Sequence, residues 1–147
     1  MGLNDCENTY TVRTSDVSGE KNLTTLLKSM RPLLLEEEYV FCSVPVERVA
    51  AFDVAPVCHF RESEGMTLIL TRQEAENAGL DYEFVSRMIT LLVHSSLNAV
   101  GFLAAITNKL AESGISANAV SAYYHDHLFV PSEKAEQVMR LLTEMSE

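Results

Sequence analysis

The sequence predicts an α+β fold built from two β-α-β-β-α-β modules of the ferredoxin-like kind, with antiparallel sheets lying side by side. Short strand patterns alternate with amphipathic helix patterns along most of the 147 residues. The two halves also resemble each other, because residues 68–76 match residues 128–136 at a fixed offset of 60. We therefore predict an N-terminal arm at 1–20, a first module at 21–86 and a second module at 87–147.

Composition limits the class of protein. Apolar residues make up 47% of the chain, which is enough for a core, and no apolar run approaches the roughly 20 residues of a membrane span. The N-terminus lacks a basic and apolar signal segment, so we expect a cytoplasmic protein. The formal net charge of −10, with scattered Lys and Arg, disfavours nucleic acid and anionic membranes as partners.

The first half begins with a polar arm, in which residues 10–14 form either an edge strand or part of a loose segment. Leucines at helical spacing predict a helix from Leu23 to Met30 that Pro32 ends. Residues 38–45 and 66–70 have strand composition, whereas residues 46–65 give no clear pattern. Thr71 and Glu74 form a capping-box pattern for a second helix, which Gly79 stops.

The second half has a more regular pattern. Residues 84–93 are strongly β-forming, and an amphipathic helix is predicted at 98–113. Small residues and tyrosines at 116–124 predict a strand that we expect at a module or subunit interface. His125 and Asp126 are the expected hairpin turn, residues 127–130 the return strand, and the last helix starts at Pro131.

The loop between the 84–93 strand and the following helix is the candidate site. Ser95, Ser96 and Asn98 can each cap a helix start, and Gly101 lies in the first turn. Free backbone N–H groups at a helix N-terminus favour carboxylates and other anions, and a glycine lets a ligand approach the backbone closely. This pattern favours a small-ligand sensor over a catalyst.

The second half resembles an ACT domain, a small regulatory module of amino-acid metabolism. The resemblance lies in the helix start at 98–103 and in the helix-to-strand turn at 110–118. From Val17 onward the whole chain is similar to short bacterial tandem-ACT proteins, through the segments 18–27, 38–42 and 121–131. That family is similar to the ACT pairs of aspartate kinases and of the animal cytosolic arginine sensor.

The resemblance implies amino-acid binding without catalysis. The common ACT loop pattern Asp-x-Pro-Gly is replaced here, so the identity of the ligand does not carry over. The alternative function is a structural or protein-interaction module with no ligand, and we expect a homo-oligomer in either case. The expected ligand-binding residues are Ser95, Ser96, Leu97, Asn98, Val100, Gly101, Asn118 and Asp126.

Asp126 enters this set through topology. The first and third strands of a ferredoxin-like module are antiparallel neighbours, which places the loop after residue 94 beside Asp126. The helix N-terminus would then hold the carboxylate of an α-amino acid, and Asp126 would pair with its ammonium group. The alternative is ordinary capping by Ser96 or Asn98 and an Asx turn at Asp126.

Other chemistries are less well supported. His125 and His127 would share a strand face as a metal pair, but a turn there breaks the alternation, and we expect no metal. His94 and Ser95 are adjacent on a strand and point to opposite faces, so a nucleophile and base are not expected. Three scattered cysteines lack Cys-x-x-Cys spacing, and no cofactor-binding motif occurs.

Overall fold

The structure is a computed structural model that describes residues 19–147. Six strands and four α-helices follow each other in an α+β order, with a 3₁₀ helix after the first strand and another before the last helix. In chain order these elements are α1 Leu23–Ser29, β1 Pro32–Val44, a 3₁₀ helix Val46–Ala51, β2 Cys58–Arg61, β3 Met66–Thr71, α2 Arg72–Asn77, β4 Glu83–Leu91, α3 Phe102–Glu112, β5 Asn118–Ser121, β6 Asp126–Pro131, a 3₁₀ helix Ser132–Lys134, and α4 Ala135–Ser146.

All six strands form one antiparallel sheet with the order β2-β3-β1-β4-β6-β5. The long strand β1 pairs with β3 through its C-terminal half and with β4 along most of its length, with a register shift between Leu34 and Glu38. The central strands β1 and β4 therefore join the two halves of the sheet. The predicted boundary between residues 86 and 87 falls inside β4, and it stays a prediction.

One face of the sheet carries the helices. Helices α3 and α4 pack on Ile89, Leu91, Leu128 and Val130, which are all fully buried. Helix α1 joins this same cluster through Leu26 and Met30, although it precedes the first strand. Helix α2 covers the other half of the same face and packs through Ala75 on Val40, Cys42, Leu68 and Leu70.

Aromatic side chains fill the opposite face at its centre. Phe129 on β6 meets the rings of Tyr39 and Phe41 on β1 edge to face, at centroid distances of 5.8 and 5.5 Å. Phe129 is only 1% exposed although no helix of the described residues covers it. Edge-to-face packing at this separation is a favourable geometry for aromatic pairs, so these rings tie the two halves of the sheet together.

Several predicted elements are confirmed. Helix α1 ends at Ser29, before Pro32, and Thr71 and Glu74 form both bonds of the capping box. Gly79 follows α2 with a φ of 65°, a left-handed conformation that favours glycine. The N-terminal arm up to residue 18, including the possible edge strand at 10–14, lies outside the described residues.

Other boundaries are wrong. The helix predicted from residue 98 begins at Phe102, because residues 96–99 form a turn closed by a bond from Ala99 N to Ser96 O. The strand predicted at 116–124 is the shorter β5. The hairpin turn comprises Tyr123 and Tyr124 rather than residues 125–126, since Ala122 N donates to His125 O and Asp126 already pairs within the sheet.

Candidate functional site

The loop between β4 and α3 is held by the segment that precedes α1. Glu20 N donates to His94 O at 2.9 Å, and Ser96 N donates to Glu20 O at 2.9 Å. Gly19 lies so close to this loop that a Cβ atom there would stand 2.5 Å from Ser96 N. Apart from the glycine itself, no feature of the sequence predicted this contact, and the position of Ser95 depends on it.

The start of α3 has no side-chain cap. Gly101 is the N-cap residue, with a φ of 93°, and no side-chain hydrogen bond satisfies the first turn. Ser96 Oγ instead accepts from Asn98 N at 3.2 Å, within the preceding turn. The prediction that Ser95, Ser96 or Asn98 caps this helix is therefore wrong, and the first N–H groups of α3 are available to a ligand.

Asp126 is a buried carboxylate at the start of β6. Its side chain is 6% exposed and accepts hydrogen bonds from Ser95 Oγ at 3.1 Å and from Ser121 Oγ at 2.5 Å. Within the described residues both ion pairs belong to Arg72, so no lysine or arginine neutralises Asp126. The Asx turn expected as the alternative role of Asp126 is absent, because the residue lies within a strand opposite Leu91.

A cavity of about 170 Å³ separates this carboxylate from the first turn of α3. Ser95, Ser121 and Asp126 line its polar side. Phe102, Leu103 and Ala104 line the helical side, together with Gly101. The uncapped helix start and the buried carboxylate thus line one small cavity, which is partly open to solvent.

The predicted site residues divide into two groups. Ser95, Ser96, Leu97, Gly101 and Asp126 line the cavity, whereas three others do not. Asn98 lines a neighbouring cavity of about 250 Å³, beside Lys21 and Tyr123. Val100 is 84% exposed to solvent, and Asn118 is exposed at the start of β5.

Sequence reasoning missed the β5 contribution. Ser121 lies opposite Asp126 in the β5–β6 ladder, and its hydroxyl completes the polar side of the cavity. The position of Ser121 beside Asp126 is set by the register of the β5–β6 hairpin, and that register depends on which residues form the turn. With the turn at residues 123–124 the register places Ser121 at the site, and the pattern of small residues gave no indication of that turn.

Three of the histidines contact separate groups in the structure. His127 Nδ1 lies 3.0 Å from Thr90 Oγ1, and His125 Nδ1 lies 3.4 Å from Val93 O. His94 packs on the ring of Tyr124 at 5.5 Å instead of contacting Ser95. No cluster of three or more metal-ligating side chains occurs among residues 19–147.

Burial lowers the pKa of one of these histidines, His127. The pKa of His127 lies below its ordinary value of 6.5, chiefly because burial disfavours the imidazolium, with a further contribution from the charge of His125. Asp126 opposes this shift. His127 is therefore a neutral side chain at neutral pH.

Family comparison agrees with the fold. ACT-domain models match residues 18–87 and 83–144, so the two matches together cover most of the chain. The chain belongs to the ACT family and carries two ACT domains in tandem. No curated protein matches it.

Solved structures of similar proteins fall into two groups. The protein VC0802 of Vibrio cholerae, described as a possible transport protein of unknown function, is 46% identical, with 86% of this chain and 98% of that chain covered and a TM-score of 0.75. The regulatory subunit of aspartate kinase from Thermus thermophilus is 12% identical, with 82% and 100% covered and a TM-score of 0.59. The Agrobacterium tumefaciens protein Atu0741 is 16% identical, with 80% and 89% covered and a TM-score of 0.63. The latter two show a shared fold.

Proposed function

We propose that this chain is a non-catalytic regulatory protein that binds a small α-amino acid in the cavity between Asp126 and α3. The observation that carries the proposal is the buried Asp126 carboxylate, which has two hydroxyl donors and no cationic partner among the described residues. A buried carboxylate of this kind is stabilised by an added positive charge, because burial otherwise costs several kcal/mol. The ammonium group of an amino acid supplies that charge.

The other end of the cavity suits the carboxylate of the same ligand. The N–H groups of the first turn of α3 carry partial positive charge and have no side-chain cap. A helix N-terminus alone would accept many anions. Because Asp126 lines the same cavity of about 170 Å³ as this helix start, the cavity selects a small zwitterion instead.

The comparisons support a regulatory role. Both matched family models are ACT domains, and together they span residues 18–144. A neighbour with the same fold is the regulatory subunit of aspartate kinase. None of the helices in the described part of the chain has the length and apolar character that crossing a bilayer requires. We keep the cytoplasm as the expected place of action.

A second candidate function is protein interaction. Leu97 is 67% exposed, and Val100, Tyr123 and Tyr124 are also exposed around the loop. A second copy of the chain would cover these side chains, and the edge strands β2 and β5 offer unpaired backbone for further contact. We propose a homo-oligomer, which is compatible with ligand binding and also with the alternative of a ligand-free structural module.

Thermal unfolding with each proteinogenic amino acid separates the two functions. A ligand at about 100 times its Kd stabilises the folded state by about 2.7 kcal/mol, which raises the melting temperature measurably. We expect at least one amino acid to do this while its des-amino analogue does not. A set of amino acids without any effect would contradict the proposal and favour the structural module.

A further inference from the structure

The face of the sheet opposite the helices carries a further cavity, which is partly open to solvent. Its volume is about 220 Å³, and its wall includes Cys58 on β2 and Val120 on β5. These are the two edge strands of the sheet, five strand spacings apart. In a flat sheet they would be about 24 Å apart at ~4.8 Å per spacing, so the sheet must curl for both to line one cavity.

The lining is mostly apolar, and its polar side chains are the His127 ring and Ser121, whose hydroxyl donates to Asp126. Val57, Met88, Val120 and Phe129 supply most of the wall, and no lining residue carries a carboxylate, ammonium or guanidinium group. An amino-acid zwitterion would lose its hydration here without a charged partner, which is unfavourable. The cavity is larger than one of about 150 Å³ that holds benzene in another protein, so an aromatic ring with a substituent fits by size.

His127 provides one directed polar contact. Its Nδ1 is engaged with Thr90 Oγ1 at 3.0 Å, and no hydrogen bond to Nε2 is present among residues 19–147. Nε2 is therefore the ring nitrogen left for a ligand. Depending on the tautomer, Nε2 donates or accepts, so a hydroxyl group is a suitable partner in either case.

We propose that this cavity, here named the sheet cavity, binds a small neutral aromatic molecule whose single polar group hydrogen-bonds to His127. The sheet cavity is distinct from the amino-acid cavity. Asp126 and His127 are consecutive residues of β6, and their side chains point to opposite faces of the sheet. The two cavities share only Ser121 and Ala122 as lining residues.

Phenol and toluene are the matched probes, since they differ by a hydroxyl group in place of a methyl group. We expect phenol to shift the NMR signals of the Met88 methyl group and the His127 ring. Phenol should bind about five- to tenfold more tightly than toluene, which is the usual contribution of one neutral hydrogen bond. Equal affinities would overturn the assignment of His127.

Cavity-filling variants test the location. Cys58→Phe should place a ring in the sheet cavity and reduce phenol binding at least about tenfold, because the ring occupies the ligand volume. His59→Phe is the matched control, since His59 is the next residue on β2, is exposed and does not line the cavity. Val120→Phe fills the same space from β5, so the test survives if one variant fails to fold.

The amino-acid cavity provides the remaining control. Ala104→Leu narrows that cavity and should leave phenol binding unchanged, because Ala104 does not line the sheet cavity. Loss of phenol binding in Ala104→Leu, or full binding in both cavity-filling variants, would overturn the proposal. So would the absence of any phenol-induced shift at Met88 and His127 in the full chain.

Discussion

The two halves of the molecule differ most at the connection between their first and second strands. In the second half, β4 leads through the 92–101 loop into the 11-residue helix α3, whose uncapped start faces Asp126. In the first half, β1 leads into the short 3₁₀ helix Val46–Ala51, which follows Pro45. An amino-acid site of the proposed kind needs the helix start, so we expect one such site within residues 19–147 of each chain.

The helix missing from the first half has a counterpart elsewhere. Helix α1 precedes β1, yet Leu26 and Met30 are buried in the core beneath α3 and α4. The second half thus has three helices over its part of the sheet, and the first half has α2 alone. The segment before α1 also holds the loop through Glu20, so the N-terminal part of the chain helps to build the site of the second half.

Filling the amino-acid cavity should give the largest effect. Ala104→Leu adds a branched side chain at an exposed position that lines this cavity, so we expect binding of the amino acid to fall at least about tenfold with the fold intact. Ala111→Leu is the matched control, being an exposed alanine on the same helix away from the cavity. Calorimetric titration of both variants measures the difference, and equal affinities would remove the α3 start from the site.

A pair of glycine variants tests whether the halves are functionally different. A Cβ at Gly19 would lie 2.5 Å from Ser96 N, and one at Gly65 would lie 2.8 Å from Val44 O. Both alanine variants should lower the free energy of unfolding by about 1–3 kcal/mol, because backbone must move. Only Gly19→Ala should also weaken amino-acid binding, since it displaces the loop. If Gly65→Ala weakened binding equally, the first half would contribute to the site.

Removing the capping box of α2 should have a smaller effect, which lowers the free energy of unfolding without changing the site in the second half. Thr71→Ala removes the hydroxyl that accepts from Glu74 N and should cost about 1 kcal/mol in denaturant unfolding. Binding should be unchanged, because α2 lies over the other half of the sheet. A loss of affinity would show that the two halves are coupled.

The smallest expected effect is a change in the free energy of unfolding with pH, which should occur in different pH ranges for His127 in the second half and Glu74 in the first half. The pKa of His127 is below 6.5, so the unfolded chain takes up a proton first, and stability falls as pH drops below 6.5 towards the native pKa. The pKa of Glu74 is below 4.5, mainly because the Thr71 hydroxyl stabilises the carboxylate, so its contribution is lost only below pH 4.5. When the free energy of unfolding is measured against pH, the His127→Gln variant should lose the first step, below pH 6.5, and keep the second, below pH 4.5. A first step that persists in this variant would assign it to another group.

The sequence predicted the parts of the site that depend on topology. Neighbouring first and third strands place Ser95 beside Asp126, and the 3.1 Å hydrogen bond between them agrees with that expectation. The capping box at Thr71 followed from local side-chain chemistry alone. Both inferences depend on chain order or on residues three apart, which a single sequence displays directly.

The misplaced features depend on register and tertiary contact. The hairpin turn lies at Tyr123 and Tyr124, although neither residue favours turns, because the pairing of Asp126 with Ser121 and Leu91 fixes the register. The start of α3 depends on the left-handed φ of Gly101, so Gly101→Val would strain the backbone as well as the site. The contact of Gly19 with the loop joins residues far apart in the chain, so no local sequence pattern predicts it.

Asp126→Asn tests the central claim most directly. This variant keeps the size of the side chain and removes its charge, so an amino acid that binds the chain should bind about tenfold to a hundredfold more weakly, as expected for a charge-assisted hydrogen bond of roughly 1.5–3 kcal/mol. The des-amino analogue of the same amino acid should lose little or no affinity, because it lacks the ammonium group. Titrating both ligands into both proteins isolates this difference, and equal weakening of the two ligands would contradict Asp126 as the ammonium partner.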